Sequence, residues 1–302
     1  MKSNLLFFVL SLLFLSCSDK ASYSPKPENL VKKRIPFYFN KVKIERVERD
    51  TAFLSNGQVF DRNGNELNIS LSDSEREFGF VATKKDDLIA SVTENNSVQL
   101  WKRGSRVFNF DFDRISSVDR RLPKPLFRGD NILYFTLDGK IAIFSIQMNK
   151  ILRVINISYN TEYSNVIDYR LSPNNSLTLL THKSIMHIEN GEEKKVSVDV
   201  RGAIFEDNSF FAITKNGEVR KYDYNLKVLE SVKFPFAYFV SWGKVDNKIY
   251  LIESNGYLIE LESDFSARRV FSEDVDLTYE NCFFTPQKFI CDEKIFYLPL
   301  SR

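Results

Sequence analysis

The residue types that most often carry chemistry are sparse in this 302-residue chain, which has two histidines and three cysteines. His182 and His187 are an odd number of positions apart, so on a β-strand their side chains point to opposite faces and do not share a metal ion. Asp61, Asn63 and Asn65 have the spacing that opens a calcium-binding loop, but its glycine and closing glutamate are missing. No Gly-x-Ser-x-Gly motif or phosphate-binding loop occurs either. The sequence therefore predicts no catalytic residue, metal or cofactor.

Cys282 and Cys291 are a candidate disulfide pair. A two-residue turn at Pro286-Gln287 would place them directly opposite each other on neighbouring strands. The compartment beyond a bacterial inner membrane is oxidising, which favours a disulfide there. Two buried free thiols are the alternative, because the geometry of a cross-strand disulfide is demanding.

A basic loop over residues 113–130 is the candidate partner-binding surface. It combines cationic side chains with leucine and proline, a makeup that is common in protein-binding patches. The residues predicted to contact a partner are Arg114, Arg120, Arg121, Leu122, Lys124 and Arg128. A solvated loop between structural repeats is the alternative interpretation. A second loop, 158–164, contains two tyrosines and has the same two interpretations.

The first 17 residues are predicted to be a lipoprotein signal peptide. Lys2 supplies a positive charge, and Leu5–Leu15 is an apolar run too short to span a bilayer as a finished helix. The following Ser16-Cys17 resembles the end of a bacterial lipobox, whose cysteine becomes the acylated first residue. An ordinary secretory signal with a chance cysteine is the alternative. Ser18 rather than aspartate follows Cys17, and by analogy with enteric bacteria this favours the outer membrane.

A polar segment over residues 18–33 follows the signal. It contains Pro25 and Pro27, and it predicts a flexible tether between the acylated cysteine and the folded domain. The lipid would supply the anchor, since more than one acyl chain gives stable membrane attachment. The predicted organisation is therefore a signal peptide over 1–17, a tether over 18–33 and one folded domain over 34–302.

The folded domain is predicted from a repeated pattern of short apolar runs and tight turns. The clearest copy is 132–157, where three runs rich in β-branched and aromatic residues are separated by turns at Asp138-Gly139 and 147–149. First turns recur near residues 57, 96, 139, 183, 217, 256 and 293. Their mean interval of about 40 residues is that of a four-stranded propeller blade. A further apolar run before most copies supplies an innermost strand: Phe78–Thr83, Pro125–Phe127, Val166–Leu171, Gly202–Phe205, Tyr238–Trp242 and Tyr279–Phe284.

These repeats predict an all-β fold, a seven-bladed β-propeller of four-stranded blades. The last copy has only three strands, whereas Arg34–Asn40 is an apolar strand without a blade of its own. We expect residues 34–40 to become the outer strand of the last blade and so to close the ring. Closure would remove the exposed edges that an open propeller presents.

The charge balance argues against a nucleic-acid partner. The chain has 42 basic and 40 acidic residues, which gives a formal net charge of +2. A nucleic-acid-binding domain usually carries a strong positive excess on one surface. The 27 phenylalanines are expected to pack between blades.

The order of turns and strands resembles the quinoprotein-type repeat. The best match is Asp138–Phe144, DGKIAIF, and partial matches occur at Asn216–Val219 and Asn255–Leu258. Taken with the lipobox-like Cys17, this pattern resembles the BamB family of outer-membrane assembly lipoproteins.

The resemblance implies a scaffold, not an enzyme, that is anchored to the outer membrane and faces the periplasm. Such a protein binds the barrel-assembly core protein and other subunits of the assembly complex, as a monomer within a hetero-complex, and assists the insertion of β-barrel proteins. Blade edges suit this role, because they can accept a strand from a partner. Two alternatives stay open: a periplasmic accessory propeller of a respiratory or redox complex, and a quinoprotein-type enzyme holding a quinone and a calcium ion. Fold alone does not choose among them.

Overall fold

The structure is a computed structural model, and it describes residues 21–31, 38–39, 43–48, 51–61, 66–67, 80–93, 95–113, 121–157, 165–272, 282–285, 288–291 and 294–298. These residues contain 28 β-strands, one 3-10 turn at Pro27–Asn29 and no α-helix. The described part of the chain is therefore all-β, as the repeated pattern predicts.

The described strands form seven sheets, numbered here in chain order. Two short strands precede them: β1 (Leu30–Val31) and β2 (Tyr38–Phe39). The first sheet contains β3 (Ile44–Glu48), β4 (Thr51–Leu54) and β5 (Val59–Asp61). The second contains β6 (Phe80–Lys85), β7 (Leu88–Thr93), β8 (Ser97–Lys102) and β9 (Ser105–Asp111). The third contains β10 (Leu126–Arg128), β11 (Asn131–Phe135), β12 (Lys140–Ser145) and β13 (Lys150–Asn156).

Four more sheets follow along the chain. The fourth contains β14 (Val166–Leu171), β15 (Leu177–Thr181), β16 (Ser184–Glu189) and β17 (Glu192–Ser197). The fifth contains β18 (Val200–Phe205), β19 (Ser209–Thr214), β20 (Glu218–Asp223) and β21 (Val228–Lys233). The sixth contains β22 (Phe239–Val245), β23 (Lys248–Glu253), β24 (Tyr257–Glu262) and β25 (Arg268–Ser272), with β1 at its edge. The seventh contains β26 (Cys282–Thr285), β27 (Lys288–Cys291) and β28 (Lys294–Tyr297), with β2 at its edge.

Tight turns join the second and third strands of most sheets at the predicted positions. Gly139, Gly217 and Gly256 have φ values of +71°, +77° and +92° there, which glycine adopts without steric cost. A threonine hydroxyl holds several of these turns. Thr214 Oγ1 accepts a hydrogen bond from the Glu218 N–H at 2.9 Å and donates one to the Glu218 carbonyl at 2.8 Å. Consecutive strands therefore pair antiparallel as a meander.

Both faces of the middle strands are packed. Every residue of β19 is buried, and this explains why it lacks the polar alternation of a half-exposed strand. An apolar cluster containing Phe211, Phe239 and Ile259 joins the fifth and sixth sheets. A second cluster containing Tyr250 and Phe289 joins the sixth and seventh. The core of the fold thus lies between neighbouring sheets, as expected for its many phenylalanines.

The N-terminal part of the chain pairs with the last two sheets. Tyr38 and Phe39 pair antiparallel with Ile295 and Lys294, so β2 is the outermost strand of the seventh sheet. This is the strand pairing expected for the segment 34–40, of which residues 34–37 and 40 lie outside the described part. β1 pairs parallel with β25 and gives the sixth sheet a fifth strand that the sequence did not predict.

The flexible tether predicted over 18–33 is not what the structure has over residues 21–31. Tyr23 is only 6% exposed, and its ring makes edge-on contacts with Phe234 and Tyr257 at centroid distances of 6.0 and 5.5 Å. The 3-10 turn and β1 follow directly. The prediction was wrong here because polar composition and proline indicated a linker, whereas the Tyr23 ring and the pairing of β1 with β25 fix the segment to the domain.

The two C-terminal cysteines lie directly opposite each other. Cys282 on β26 pairs with Cys291 on β27 in the strand register, as the turn at 286–287 predicts. Their Cα atoms are 4.1 Å apart and their sulfur atoms are bonded in the structure. The pair links the first two strands of the seventh sheet.

Candidate protein-interaction surface

Several residues singled out in the sequence lie outside the described part of the structure. These are the lipidation candidate Cys17, the loop 158–164, and Arg114 and Arg120 of the predicted partner-binding loop. The remaining four residues of that loop, Arg121, Leu122, Lys124 and Arg128, are described.

Arg121 holds neighbouring sheets together. Its guanidinium donates to the backbone carbonyls of Arg201 and Val200, the latter at 3.1 Å. Its own carbonyl accepts a hydrogen bond from Asn165 Nδ2 at 2.8 Å. These residues lie at or just before the first strands of the third, fourth and fifth sheets. Arg121 therefore links three sheets at one end of the fold.

Leu122 is not a surface contact. It is 2% exposed and belongs to the apolar cluster between the second and third sheets. Pro125 beside it is also buried, and its carbonyl accepts a hydrogen bond from Thr83 Oγ1 at 2.7 Å. The prediction for Leu122 was wrong because the chain crosses between two sheets here, and apolar residues fill the gap. Lys124 is half-buried, and Arg128 alone of the four is exposed.

Most of the exposed large apolar residues lie instead on or beside outermost strands. The third sheet has the largest such set, with Met148 60%, Leu152 48% and Val154 44% exposed on or just before β13. β13 is the last strand of its sheet, and no described strand pairs with its outer edge. Such an edge presents unpaired backbone N–H and C=O groups beside the apolar side chains. This edge is the candidate protein-interaction surface, and we call it the β13 edge.

The sixth sheet shows how an edge of this fold binds an extended segment. Leu30 and Val31 of β1 pair with Val270 and Phe271 of β25. Val31 also packs against the apolar cluster between the sixth and seventh sheets. Main-chain pairing and one or two apolar contacts thus suffice to hold a strand on an outer edge, which is the mode of β-augmentation.

Glu260 is a buried carboxylate held by basic side chains of the neighbouring strands. Glu260, 3% exposed, accepts hydrogen bonds from Lys248 Nζ and Arg269 Nε, both at 2.9 Å. Three positive and two negative side chains surround the adjoining cavity of 270 Å³. Lys248 and Arg269 lie on the strands to either side of β24, so Glu260 ties these three adjacent strands of the sixth sheet together.

His187 is the other buried polar group of note. It is 3% exposed, and its Nδ1 lies 2.9 Å from Thr178 Oγ1. Burial lowers the pKa of His187; the nearby Glu189 opposes this effect and Lys194 adds to it. Within the described residues no group of three or more His, Cys, Asp or Glu side chains could hold a metal ion. In the same part of the chain, none of the helical segments has the length and apolar character needed to cross a membrane.

The threonines in the turns and the buried Tyr23 were missed from the sequence. The turns carry a signal in retrospect, because Thr136 and Thr214 each stand two residues before an Asp-Gly or Asn-Gly pair. Tyr23 carries no such signal, since nothing local distinguishes a docked tyrosine from a solvated one.

Successive antiparallel four-stranded sheets packed face to face, with closed cores between them, define the β-propeller class of fold. Solved structures share this fold. BamB from Moraxella catarrhalis matches 86% of this chain and 83% of its own with a TM-score of 0.63 and 9% identity. The C-terminal WD40 domain of Sif2 matches 88% of this chain and 81% of its own with a TM-score of 0.59 and 10% identity. At these identities the likeness concerns the fold alone.

Two curated proteins are similar in sequence. Plasminogen-binding protein PgbB of Helicobacter pylori strain J99 is 25% identical over 224 residues, which cover 73% of this chain and 41% of that protein. PgbB of strain 26695 is 24% identical over 224 residues, which cover 73% of this chain and 40% of that protein. The chain therefore spans about two fifths of the length of these relatives. No protein-family model matches the chain.

Proposed function

We propose that this protein is a scaffold lipoprotein of the BamB type, anchored to the outer membrane through an acylated Cys17 and facing the periplasm. It binds partner proteins and assists the assembly of outer-membrane β-barrels, and it is not an enzyme. The β13 edge is the observation that carries this proposal. A non-catalytic scaffold needs an exposed, partly apolar surface, and Leu152 and Val154 provide one on an edge with which no other described strand pairs.

We also propose that the seven sheets are the blades of a closed ring. Two findings support closure: the described strands form seven sheets, and β2, from the N-terminal part, pairs with the C-terminal β28. A closed ring is rigid, so it holds its outer edges in fixed positions for a partner.

The partner inferred by resemblance is the core protein of the barrel-assembly complex. The test is a crosslinking pull-down from membranes, using the full lipidated protein with a C-terminal affinity tag, followed by mass spectrometry. We expect the barrel-assembly core protein among the crosslinked partners. Recovery of a respiratory complex without any assembly component would contradict the proposal and favour the accessory propeller.

The surface is tested by a matched pair of variants. Leu152→Asp combined with Val154→Asp places two charges on the β13 edge, and we expect at least about a tenfold loss of crosslinked partner, since buried apolar anchors dominate interface energies. Val228→Asp combined with Leu229→Asp makes the same change on β21, where exposure is 44% and 47%. This control should crosslink as the unmodified protein does. Equal losses in both variants would rule out the β13 edge.

A second candidate function is plasminogen binding, which the 25% identity to PgbB over 224 residues favours. Because the chain covers only 41% of that protein, the test uses this chain itself. Purified protein is passed over immobilised plasminogen in a surface-plasmon-resonance experiment. Saturable binding that survives physiological salt would support this candidate, and its absence would remove it.

A further inference from the structure

Two aromatic side chains project into solvent from one loop beside the docked N-terminal segment. The loop over residues 234–238, called here the Phe236 loop, connects β21 to β22. Phe236 is 65% exposed and Tyr238 is 49% exposed. Ala237 between them and Phe234 at the start of the loop are buried. Exposed aromatic rings grouped in one loop are a common mark of an interaction surface.

The exposure of Phe236 is built into the backbone. Its φ is +64°, a value that a bulky residue rarely adopts. The Ala237 N–H donates to the Phe234 carbonyl at 3.1 Å, and the Phe234 N–H donates to the Gly217 carbonyl at 2.8 Å. A Cβ on Gly217 would lie 2.4 Å from the Phe234 carbonyl oxygen, so the turn and the loop are in direct contact. The loop is thus held in a shape that directs the Phe236 ring outward.

Tyr23 fixes the start of the described chain beside this same loop. Its ring packs edge-on against Phe234, and burial raises the pKa of Tyr23 to about 12, with Glu253 adding to the effect. Only six peptide units separate Tyr23 from Cys17. Fully extended, they reach about 20 Å. A lipid attached to Cys17 would therefore keep the Phe236 loop close to the bilayer surface.

The charges around the loop suit a phospholipid surface. Lys215 and Lys233 are exposed on either side of Gly217, and the guanidinium of Arg201 lies 3.7 Å from the centre of the Tyr238 ring. Three acids are nearby: the exposed Asp199, whose carbonyl accepts from the Lys215 N–H, the half-buried Glu218, which pairs with Arg220, and the buried Glu253, which accepts a hydrogen bond from the Tyr238 N–H at 3.3 Å. Aromatic rings flanked by lysine and arginine are the composition that binds at the boundary between headgroups and acyl chains.

We propose that the Phe236 loop contacts the phospholipid bilayer and orients the propeller on it, with the end that carries residues 215–217 and 234–238 facing the membrane. The inference rests on the proposed acylation of Cys17. The bilayer is the binding partner of the loop because the short segment between Cys17 and Tyr23 keeps the exposed rings close to the membrane.

The experiment uses full-length lipidated protein in vesicles of phosphatidylethanolamine and phosphatidylglycerol, with and without brominated acyl chains. Phe236→Trp places a fluorescent reporter in the loop, and the signal of the two native tryptophans is subtracted with unmodified protein. Phe110→Trp is the matched control, because Phe110 is a phenylalanine that is 45% exposed on β9. Both substitutions are at exposed positions and keep an aromatic ring.

We expect bromine to quench at least about half of the added fluorescence at residue 236, since interfacial side chains sit roughly 5–10 Å within the headgroup–acyl boundary. Little quenching is expected at residue 110. The mass of the protein first shows whether Cys17 carries acyl chains. If it does, equal quenching at both positions, or none at either, would overturn the proposed orientation of the propeller and leave the lipid anchor intact. A mass without acyl chains at Cys17 would overturn the anchor and the inference together. Shielding of residue 236 by a co-purified protein, without quenching in vesicles, would assign the loop to a protein partner and reject the bilayer.

Discussion

Gly243 in β22 lies directly against the ring of Phe284 in β26, and a Cβ at residue 243 would come within 2.0 Å of the ring Cε1 atom. The same relationship joins the preceding pair of sheets, where a Cβ on Gly202 would lie 2.2 Å from Cζ2 of Trp242. In both pairs of sheets, therefore, a glycine on one first strand faces an aromatic ring of the next sheet. Glycine is needed there for space, and not for an unusual backbone conformation.

Gly243→Ala should destabilise the protein by about 1–3 kcal/mol, the usual effect of overpacking a close-packed core. The measurement is urea unfolding followed by circular dichroism. In a Phe284→Leu background, the same alanine should cost at least about 1 kcal/mol less, because the smaller side chain leaves room and contacting residues couple. Strictly additive effects would show that the two residues do not pack as described.

Thr214→Val should destabilise the protein by about 1–3 kcal/mol, because Thr214 is buried and the N–H and carbonyl of Glu218 lose their hydroxyl partner. Thr214→Ser is the matched control, since it keeps the hydroxyl and removes only a methyl group. Thermal unfolding of both variants measures the difference. If serine were as damaging as valine, packing of the methyl group and not the hydrogen bonds would hold the turn.

Leu122→Ala should cost about 2–5 kcal/mol of unfolding free energy, as expected for a leucine buried between two sheets. Arg128→Ala, at the exposed end of β10, removes only an exposed contact with Asn175 Oδ1 and should stay within about 0.5 kcal/mol of the unmodified protein. Denaturant unfolding measures both. A stable Leu122→Ala protein with reduced partner crosslinking would reverse the assignment and return Leu122 to the surface.

Stability should fall as the pH is lowered from 7.5 to 5.5, partly through His187. Its pKa is lowered in the folded state by burial, so the unfolded chain binds the proton more readily. The stabilisation that comes from keeping His187 neutral is fully present above about pH 6.5. It is lost as the pH falls towards the folded-state pKa, by at most about 1.4 kcal/mol per pH unit. His187→Gln should flatten the dependence, whereas His182→Gln should retain the part due to His187. An unchanged slope in His187→Gln would exclude this residue as the source.

The cysteine pair should be oxidised in protein isolated from membranes. Alkylation before reduction should leave Cys282 and Cys291 unmodified, and alkylation after reduction should label both. Because the two are nine residues apart, Cys282→Ser combined with Cys291→Ser should cost about 2–3 kcal/mol through the chain entropy of the unfolded state. Labelling of both thiols without reduction would show that the protein carries them free.

Local features of the sequence determined the repeat and the strand order. Asn-Gly and Asp-Gly pairs mark turns because they adopt positive φ values readily, and alternating turns and apolar runs therefore located most strands without any knowledge of the fold. The position of Cys282 opposite Cys291 follows from the same local counting. The pairing of Tyr38–Phe39 with β28 was predicted in another way, from the missing fourth strand of the last repeat.

Only the tertiary structure decided which side chains face solvent. Leu122 and Arg121 look like surface residues in a basic loop, but neighbouring sheets enclose the first and offer carbonyls to the second. Tyr23 lies in a polar segment that resembles a linker, and its burial depends on Phe234 and Tyr257, more than 200 residues away in sequence. Burial is set by which elements meet in space, and a turn or strand pattern specifies only the residues next to it in the chain.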